Sequence, residues 1–437
     1  MHARSYAAAS QQPARASAGR RLGYLIMTFP KVSETFISNE IRELARHDIH
    51  PVIFSVYPPV DAFMHPADIP LAWETHYLEP QPARWQTRLR AQLHYLGRRP
   101  IAFARMWFDI LREWSPLYVR LAWHGLPWLR QIEAQGIGHL HCHFALNNSA
   151  VAWMLHRLAG TPYSITAHAV GIYTQHKLKR RLYEAECVIS VCDYNTRYME
   201  RHFPHVKRVV KVMCGVSPDD FRRTTPYRKT APFPIAAVGR LAELKGYPYQ
   251  IEAMRILRVR GVDAQVRIVG EGKLRPVLEA QIAAAGLGDR VHLLGAQPTH
   301  FVREELEAAS LLIHTSVVPR DGNSDSMALS VKEAMAMELP VIATDCVANP
   351  EMVDERCGVL VPEADAPALA DAIAHFAAMP EEQLRRMGEA GRRRVVEEFS
   401  LAGQTALLAQ EFRRLGVVPV SAEVHGSSLL RSLEPAG

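Results

Sequence analysis

The chain has 437 residues, 48% hydrophobic and 22% charged, with a formal net charge of +6. That length predicts two or three domains with real cores and excludes a wholly disordered chain. The mild basic excess suits nucleotides, diphosphates or anionic headgroups, and is too small and dispersed for a nucleic-acid binder. No run reaches the ~18 uninterrupted apolar residues of a spanning helix. The six cysteines, Cys142, Cys187, Cys192, Cys214, Cys346 and Cys357, form no C-x-x-C pair. They read as reduced core residues of a cytoplasmic protein, not as a disulfide or metal framework.

Residues 1–21 are basic, free of acids and without an apolar stretch, so they read as a disordered tail and not a secretory leader. LGYLIMT at 22–28 is a strand, broken by Phe29-Pro30. SETFISNEIRELARHD follows with helical spacing at Phe36, Ile37, Ile41 and Leu44, and HPVIFSVY is a second strand. Strand, loop, helix, strand begins a parallel sheet whose loops open at the carboxyl ends, where such folds bind ligands. Ser33 and Glu34 lie in the first of these loops as acceptor-side candidates, although a turn and a helix cap also account for them.

Residues 84–130 differ in character. They hold five tryptophans (Trp85, Trp107, Trp114, Trp123, Trp128) and nine arginines against two acids, Asp109 and Glu113. Breaks near 99–100 and 115–116 predict two or three helices, an insertion over about 84–134. Interleaved Trp and Arg fit a helix lying on anionic lipid. A soluble insertion with Trp inside and Arg solvated fits the composition equally.

GHLHCHFA is the next strand, with His139, His141 and His143 on one face. A metal site is conceivable there, and a satisfied histidine cluster is the plainer reading. A helix over 147–158 leads to the strand TPYSITAH, which closes on His168; ECVISVC and RVVKVMCGV complete a first unit over 22–215. A polar, Pro-rich linker at 216–231 precedes a second β-α series over 232–400. A helix at 401–419 is expected to cross back to the first unit, and 420–437 to be a disordered tail. The fold class is α/β: two Rossmann-like, doubly wound domains facing across a cleft.

Two stretches of the second unit carry chemistry. VGRLAELKG places Arg240 and Lys245 in a loop after a strand, where two cations reach one diphosphate. DGNSDSMALSVKE, 321–333, runs an acidic, small-residue loop into a helix expected to begin near Met327, with Asp325 or Ser326 as cap. Its first N–H groups and positive dipole end suit a phosphate. Glu333, one to two turns further in, suits a sugar diol. A capped surface helix is the plainer alternative for the isolated stretch.

The motifs GRLAELKG, IVGEGKL, DRVHLLG and DGNSDSMALSVKEAMAMELPVIAT resemble a retaining GT-B glycosyltransferase of glycosyltransferase family 4 (group 1). FPKVSETFISNEI, HLHCHFA, SITAH and VMCGVSPDDF resemble its exopolysaccharide, colanic-acid branch. The resemblance covers about 22–415. It implies that Arg240 and Lys245 hold the donor diphosphate, Glu333 the ribose, and Asp325 the donor sugar beside His168. Ser326, Met327, Ala328 and Leu329 would line the phosphates, Gly272 would admit the nucleotide backbone, and the base would rest after Gly295. His143 would lie on the acceptor side. The resemblance implies no metal or other cofactor, a UDP- or GDP-sugar donor, a lipid-linked or oligosaccharide acceptor, and a peripheral place on the inner face of the membrane.

Departures from the family pattern are Asp325 for Glu, Ser326 for Gly, Gly171 for Asp, Glu338 for Gly, and Ala348-Asn349 for a Gly-containing turn. Two functions follow: an active sugar transferase of surface polysaccharide assembly, or a degenerate GT-B protein that binds a nucleotide or a partner.

Overall fold

A computed structural model describes residues 19–418 apart from 60–63, 80, 82, 114 and 175–176. Short apolar runs form two parallel sheets. The first contains β1 (Leu22–Thr28), β2 (Val52–Tyr57), β3 (His76–Tyr77), β4 (His139–His143), β5 (Tyr163–Ala167), β6 (Cys187–Ser190) and β7 (Val209–Lys211), in the order β3-β2-β1-β4-β5-β6-β7. The second contains β8 (Phe233–Val238), β9 (Ala264–Val269), β10 (Val291–Leu293), β11 (Leu311–His314), β12 (Val341–Thr344) and β13 (Gly358–Val361), in the order β10-β9-β8-β11-β12-β13. Central strands such as β4, β5 and β12 are buried along their whole length, because helices cover both faces. Strand order reverses between β1 and β4, and again between β8 and β11, leaving a crevice at the carboxyl ends of each sheet. Two doubly wound α/β domains are what the alternating pattern predicted.

The helix Leu401–Arg414 packs on the first sheet's side. Leu408, Ala409 and Phe412 share a core with Tyr24, Ile37 and Leu44, and the chain crosses where Val216 pairs with Phe399 and Leu401 through backbone bonds of 3.0 and 2.7 Å. Residues 216–231 are not a loose tether. Arg223 donates to the carbonyls of Met337 and Glu307, and Tyr227 to that of Ser310. The proposed tail to residue 21 ends sooner, since Arg20 bridges Val417 and bonds Leu415 and Glu186. The rest of both predicted tails, 1–18 and 419–437, lies outside the described residues.

The insertion is three helices, Trp85–Arg98, Pro100–Arg112 and Pro116–Ala134. The last two start with proline, whose missing N–H is harmless in a first turn. Tyr95, Met106, Ile110 and Trp128 point inward. Tryptophans do not make the outward face: Trp107 and Trp123 are half-buried, only Trp85 is exposed among those described, and Trp114 lies outside the described residues. Aliphatics make it instead. Leu89, Leu93 and Leu96 continue the stripe from Trp85, and Ile101, Phe108 and Leu111 share a second stripe with exposed Arg105 and Arg112. No described helix is long and apolar enough to cross a membrane.

Candidate functional site in the interdomain cleft

On the second domain, β8 delivers the chain to Gly239 and Arg240, and a tight turn over Glu243–Lys245 follows. Gly246 closes that turn at φ 64, and a Cβ there would lie 1.9 Å from the Thr315 carbonyl oxygen. Only glycine lets this loop seat on the end of β11. The Thr315 hydroxyl, itself bonded by Gln250 at 2.8 Å, donates to the Lys245 carbonyl at 3.0 Å. So held, the Lys245 ammonium forms an ion pair with Asp325, and His314 Nε2 stands 3.6 Å from the same carboxylate. Burial pushes the Asp325 carboxyl up, but Lys245 and His314 outweigh it and hold the group at about 2. Burial, aided by Lys245, drops His314 to about 3, so it is neutral. Arg240 is exposed at the mouth of the same loop.

The helix after the 321–328 loop is Leu329–Ala336, two residues later than expected. Ala328 occupies the cap position with no side-chain bond, so neither Asp325 nor Ser326 caps it. Asp325 is committed to Lys245, far away in sequence. Ser326, Met327 and Ala328 are buried in the loop that leads to the first N–H groups of the helix. Those groups have no partner within the helix. Burial raises the Glu333 carboxyl to about 7, against the opposing pull of Lys332 and Lys245. Gly272 sits where two loops of the second domain approach closely. A Cβ there would lie 2.4 Å from the Leu241 oxygen, so the missing side chain seats one protein loop on another. Gly295, at φ 76, accepts the Gly270 N–H at 2.8 Å beside it.

Lys332 was not singled out from the sequence. It is fully buried and donates to the Cys214 carbonyl in the crossing between domains. Burial lowers its pKa, while Cys214, Glu333 and Asp325 raise it. Its signal was a charge inside VKEAMAM, a helix with no polar face to receive it.

On the first domain, His168 follows β5 as the cap position of the helix Ala169–Tyr173. It is 9% exposed, and its Nε2 has no hydrogen-bond partner. Burial, reinforced by His143 and Lys332, holds it neutral. The Phe144, Phe36 and His143 rings lie 4.3, 5.0 and 5.9 Å from it, centre to centre. His143 Nε2 meets Glu40 Oε1 at 2.9 Å. Glu40 was missed, though it lies one turn beyond Phe36 on the helix Thr35–Ala45. Ser33 is exposed in a turn before that helix and does not cap it; Glu34 takes the cap position without a cap bond and pairs with Lys31.

Two sequence departures, Gly171 and Asn349, have local causes, and a third, Glu338, sits at a strained position. A Cβ at Gly171 would lie 2.7 Å from the Ala145 nitrogen, leaving no room for an aspartate. Glu338 sits at φ 59, the left-handed position that a glycine would fill without strain. Asn349 is buried and ties the ends of β11 and β12 together through Ser316 and Thr344. Across the cleft, the Glu351 carboxylate of the second domain accepts the N–H groups of Asp193 and Tyr194, each at 2.7 Å.

Two doubly wound domains joined by a crossing C-terminal helix, with a basic loop and a helix N-terminus facing the crevice, define the GT-B glycosyltransferase fold. Residues 221–394, most of the second domain, match the family described as Glycosyl transferases group 1. The chain is 34% identical over 198 residues to WcaL of Escherichia coli K12, named for colanic acid biosynthesis, covering 45% of this chain and 48% of that protein. It therefore spans about half the length of that relative. It is 28% identical over 371 residues to the amylovoran biosynthesis glycosyltransferase AmsK of Erwinia amylovora, 80% of this chain and 89% of the other. Sucrose-phosphate synthase from Thermosynechococcus elongatus superposes with TM-score 0.69 at 20% identity, covering 91% of this chain and 99% of that one. HepE of Anabaena, solved with UDP and glucose, gives TM-score 0.66 at 15% identity, covering 90% and 99%.

Proposed function

We propose that this protein transfers a sugar, with retention, from a UDP- or GDP-sugar to a lipid-linked or growing saccharide in surface polysaccharide assembly. One observation carries the reading: Lys245, Arg240, Asp325 and the N-terminus of the helix bearing Glu333 converge on one crevice. The named roles of WcaL and AmsK, and the UDP and glucose bound to HepE, support it. A diphosphate entering there displaces Asp325 from Lys245. The ammonium, the Arg240 guanidinium and the helix N–H groups then carry the leaving-group charge, so no metal is required in this scheme. Asp325, released, accepts a donor-sugar hydroxyl, and Glu333 accepts the ribose diol.

A thermal-shift screen of UDP-, GDP- and ADP-sugars tests the donor class. Stabilisation by one nucleotide sugar, followed by its hydrolysis or transfer, is expected; no shift with any of them sinks the proposal.

In the same reading the helical insertion rests on anionic membrane, near a lipid-linked acceptor. Its support is the two outward stripes, Leu93 in the first and Ile101 and Phe108 in the second beside Arg105 and Arg112. Liposome co-sedimentation should favour anionic vesicles and weaken with salt. Leu93→Glu should weaken it by about 1.5 kcal/mol, roughly tenfold. Equal binding to neutral vesicles, or none to either, rules this placement out.

A further inference from the structure

β11 lies inside the second sheet, between β8 and β12, and its last residue is His314. Two consecutive residues at this strand end serve one loop. The Thr315 hydroxyl fixes the Lys245 carbonyl, and the His314 ring faces the carboxylate that the Lys245 ammonium holds. The Lys245 backbone is therefore pinned, while its four-carbon stem is free to swing. His314 is 4% exposed, and its Nε2 is buried with no hydrogen-bond partner. At 3.6 Å from Asp325 Oδ2, that nitrogen is just too far for a hydrogen bond. The same oxygen accepts from Lys245.

We propose that His314 is a positioning residue that takes Asp325 over from Lys245 when a nucleotide sugar binds, and that each donor bound brings a proton onto the His314–Asp325 pair. This rests on the transferase reading above, and adds the partner that Asp325 takes once the diphosphate has drawn Lys245 away. A buried carboxylate stripped of its cation is strongly disfavoured. Among the described residues, Lys245 and His314 are the basic side chains within ion-pair distance of Asp325. When the first leaves, the second answers. An imidazole takes a proton more readily than a carboxylate does, so a proton from solvent goes to the ring, and the imidazolium Nε2–H donates to Asp325.

What faces the ring sets its two states. At rest, burial and the Lys245 charge hold it neutral against the pull of Asp325. With the donor in place, Asp325 remains, the cation has moved off, and the phosphate charges have arrived. The other groups near the pair do not reverse this balance. Arg240 shares the Lys245 loop and turns to the same phosphates, and Lys332 stays on the Cys214 carbonyl. Tyr247 and Cys346 are neutral, both raised by burial. Asp325 then keeps one oxygen on His314 and offers the other to a donor-sugar hydroxyl, its direction fixed by an interior strand.

Calorimetry of the full chain with the nucleotide sugar found by thermal shift, in buffers of different ionisation enthalpy, counts the protons. At pH 7.5 Glu333, at about 7, is mostly ionised already, so proton release there offsets little. Uptake of about half a proton or more per donor bound is expected. His314→Gln and Asp325→Asn should each bring the count near zero and raise the donor Kd about tenfold. Long-range 1H–15N spectra of the wild type need no variant. They should show the His314 ring neutral without donor and cationic with it. Donor binding without proton uptake, uptake that His314→Gln leaves unchanged, or a ring in the same protonation state with and without donor overturns the proposal and leaves the transferase reading standing. A wild type that binds no nucleotide sugar overturns that reading, and this proposal with it.

Discussion

The two walls of the cleft are built on opposite electrostatic plans. The second domain meets the cleft with charges that already neutralise one another, Lys245 on Asp325 with neutral His314 behind them. The first domain meets it with imidazoles and phenyl rings, two of whose nitrogens answer to nothing. A closed ion pair is a poor place for a neutral molecule and a good place for an anion that can exchange with the carboxylate. Unmet neutral nitrogens between aromatic rings are the reverse. In the proposed transfer, that difference is the reason the anionic donor is placed on the second domain.

Breaking the charged wall should have the largest effect. Lys245→Ala is expected to cost about 2–4 kcal/mol of transition-state stabilisation, a 10²–10³-fold fall in kcat/KM. Near wild-type transfer would remove the diphosphate from this loop.

Glu333 sharpens the contrast, because its carboxyl titrates near 7 instead of 4.5. The folded state binds that proton more tightly, so stability falls as pH rises from about 4.5 to 7 and the deficit is complete above. Glu333→Gln should therefore be more stable than wild type by about 1–3 kcal/mol at pH 8, with the gain vanishing near pH 4. Donor binding at pH 8 should meanwhile weaken about tenfold, the loss of one hydrogen-bonded charged contact. Urea unfolding and donor titration at both pH values check this; a variant no more stable at pH 8 refutes the burial argument.

Asp325 titrates the other way. Held at about 2 against an ordinary 3.8, it stabilises the fold above pH 3.8, and that stability is lost as pH falls through 2. Lys245→Met removes the cation responsible. Its stability deficit against wild type should narrow by about 1–2 kcal/mol between pH 5 and pH 2.5. A deficit independent of pH would mean the pair contributes nothing to the fold.

The smallest effect lies behind the wall, at Glu338. Replacing this left-handed residue by glycine should stabilise by about 1 kcal/mol, or ~2–4 °C in Tm. No change would show that the backbone is not strained there.

The sheets were legible because buried parallel strands are short apolar runs between turn residues, as in VIFSVY, YSITA and VIAT. β3 was not, since His76-Tyr77 is too short to show a period. The helix Thr299–Ala308 was also passed over, with one fully buried side chain, Leu306, to mark its face. Within the site, residue types were readable and pairings were not. Arg240, Lys245, Asp325 and Glu333 stand in local motifs, whereas the Lys245–Asp325 pair and the Glu40–His143 bond join distant segments that only the folded sheets bring together. A cap was expected of Asp325 because a local partner is all that sequence offers it. For the insertion, the reading with tryptophan turned inward and arginine solvated fits better than the one with tryptophan on the outward face. Composition drew attention to tryptophan, but helical phase decides exposure, and it favours Leu89, Leu93 and Leu96.

The Glu351 carboxylate has a consequence in time. It holds two N–H groups at the start of the helix Asp193–His202, on the cleft side, while the Leu401–Arg414 helix joins the domains behind. Parting the domains breaks both bonds at once, each worth about 1.5–3 kcal/mol before solvent at the Tyr194 end reduces it. For any molecule too large to slip past the latch, the rate of arrival and departure is then bounded by how often one side chain lets go.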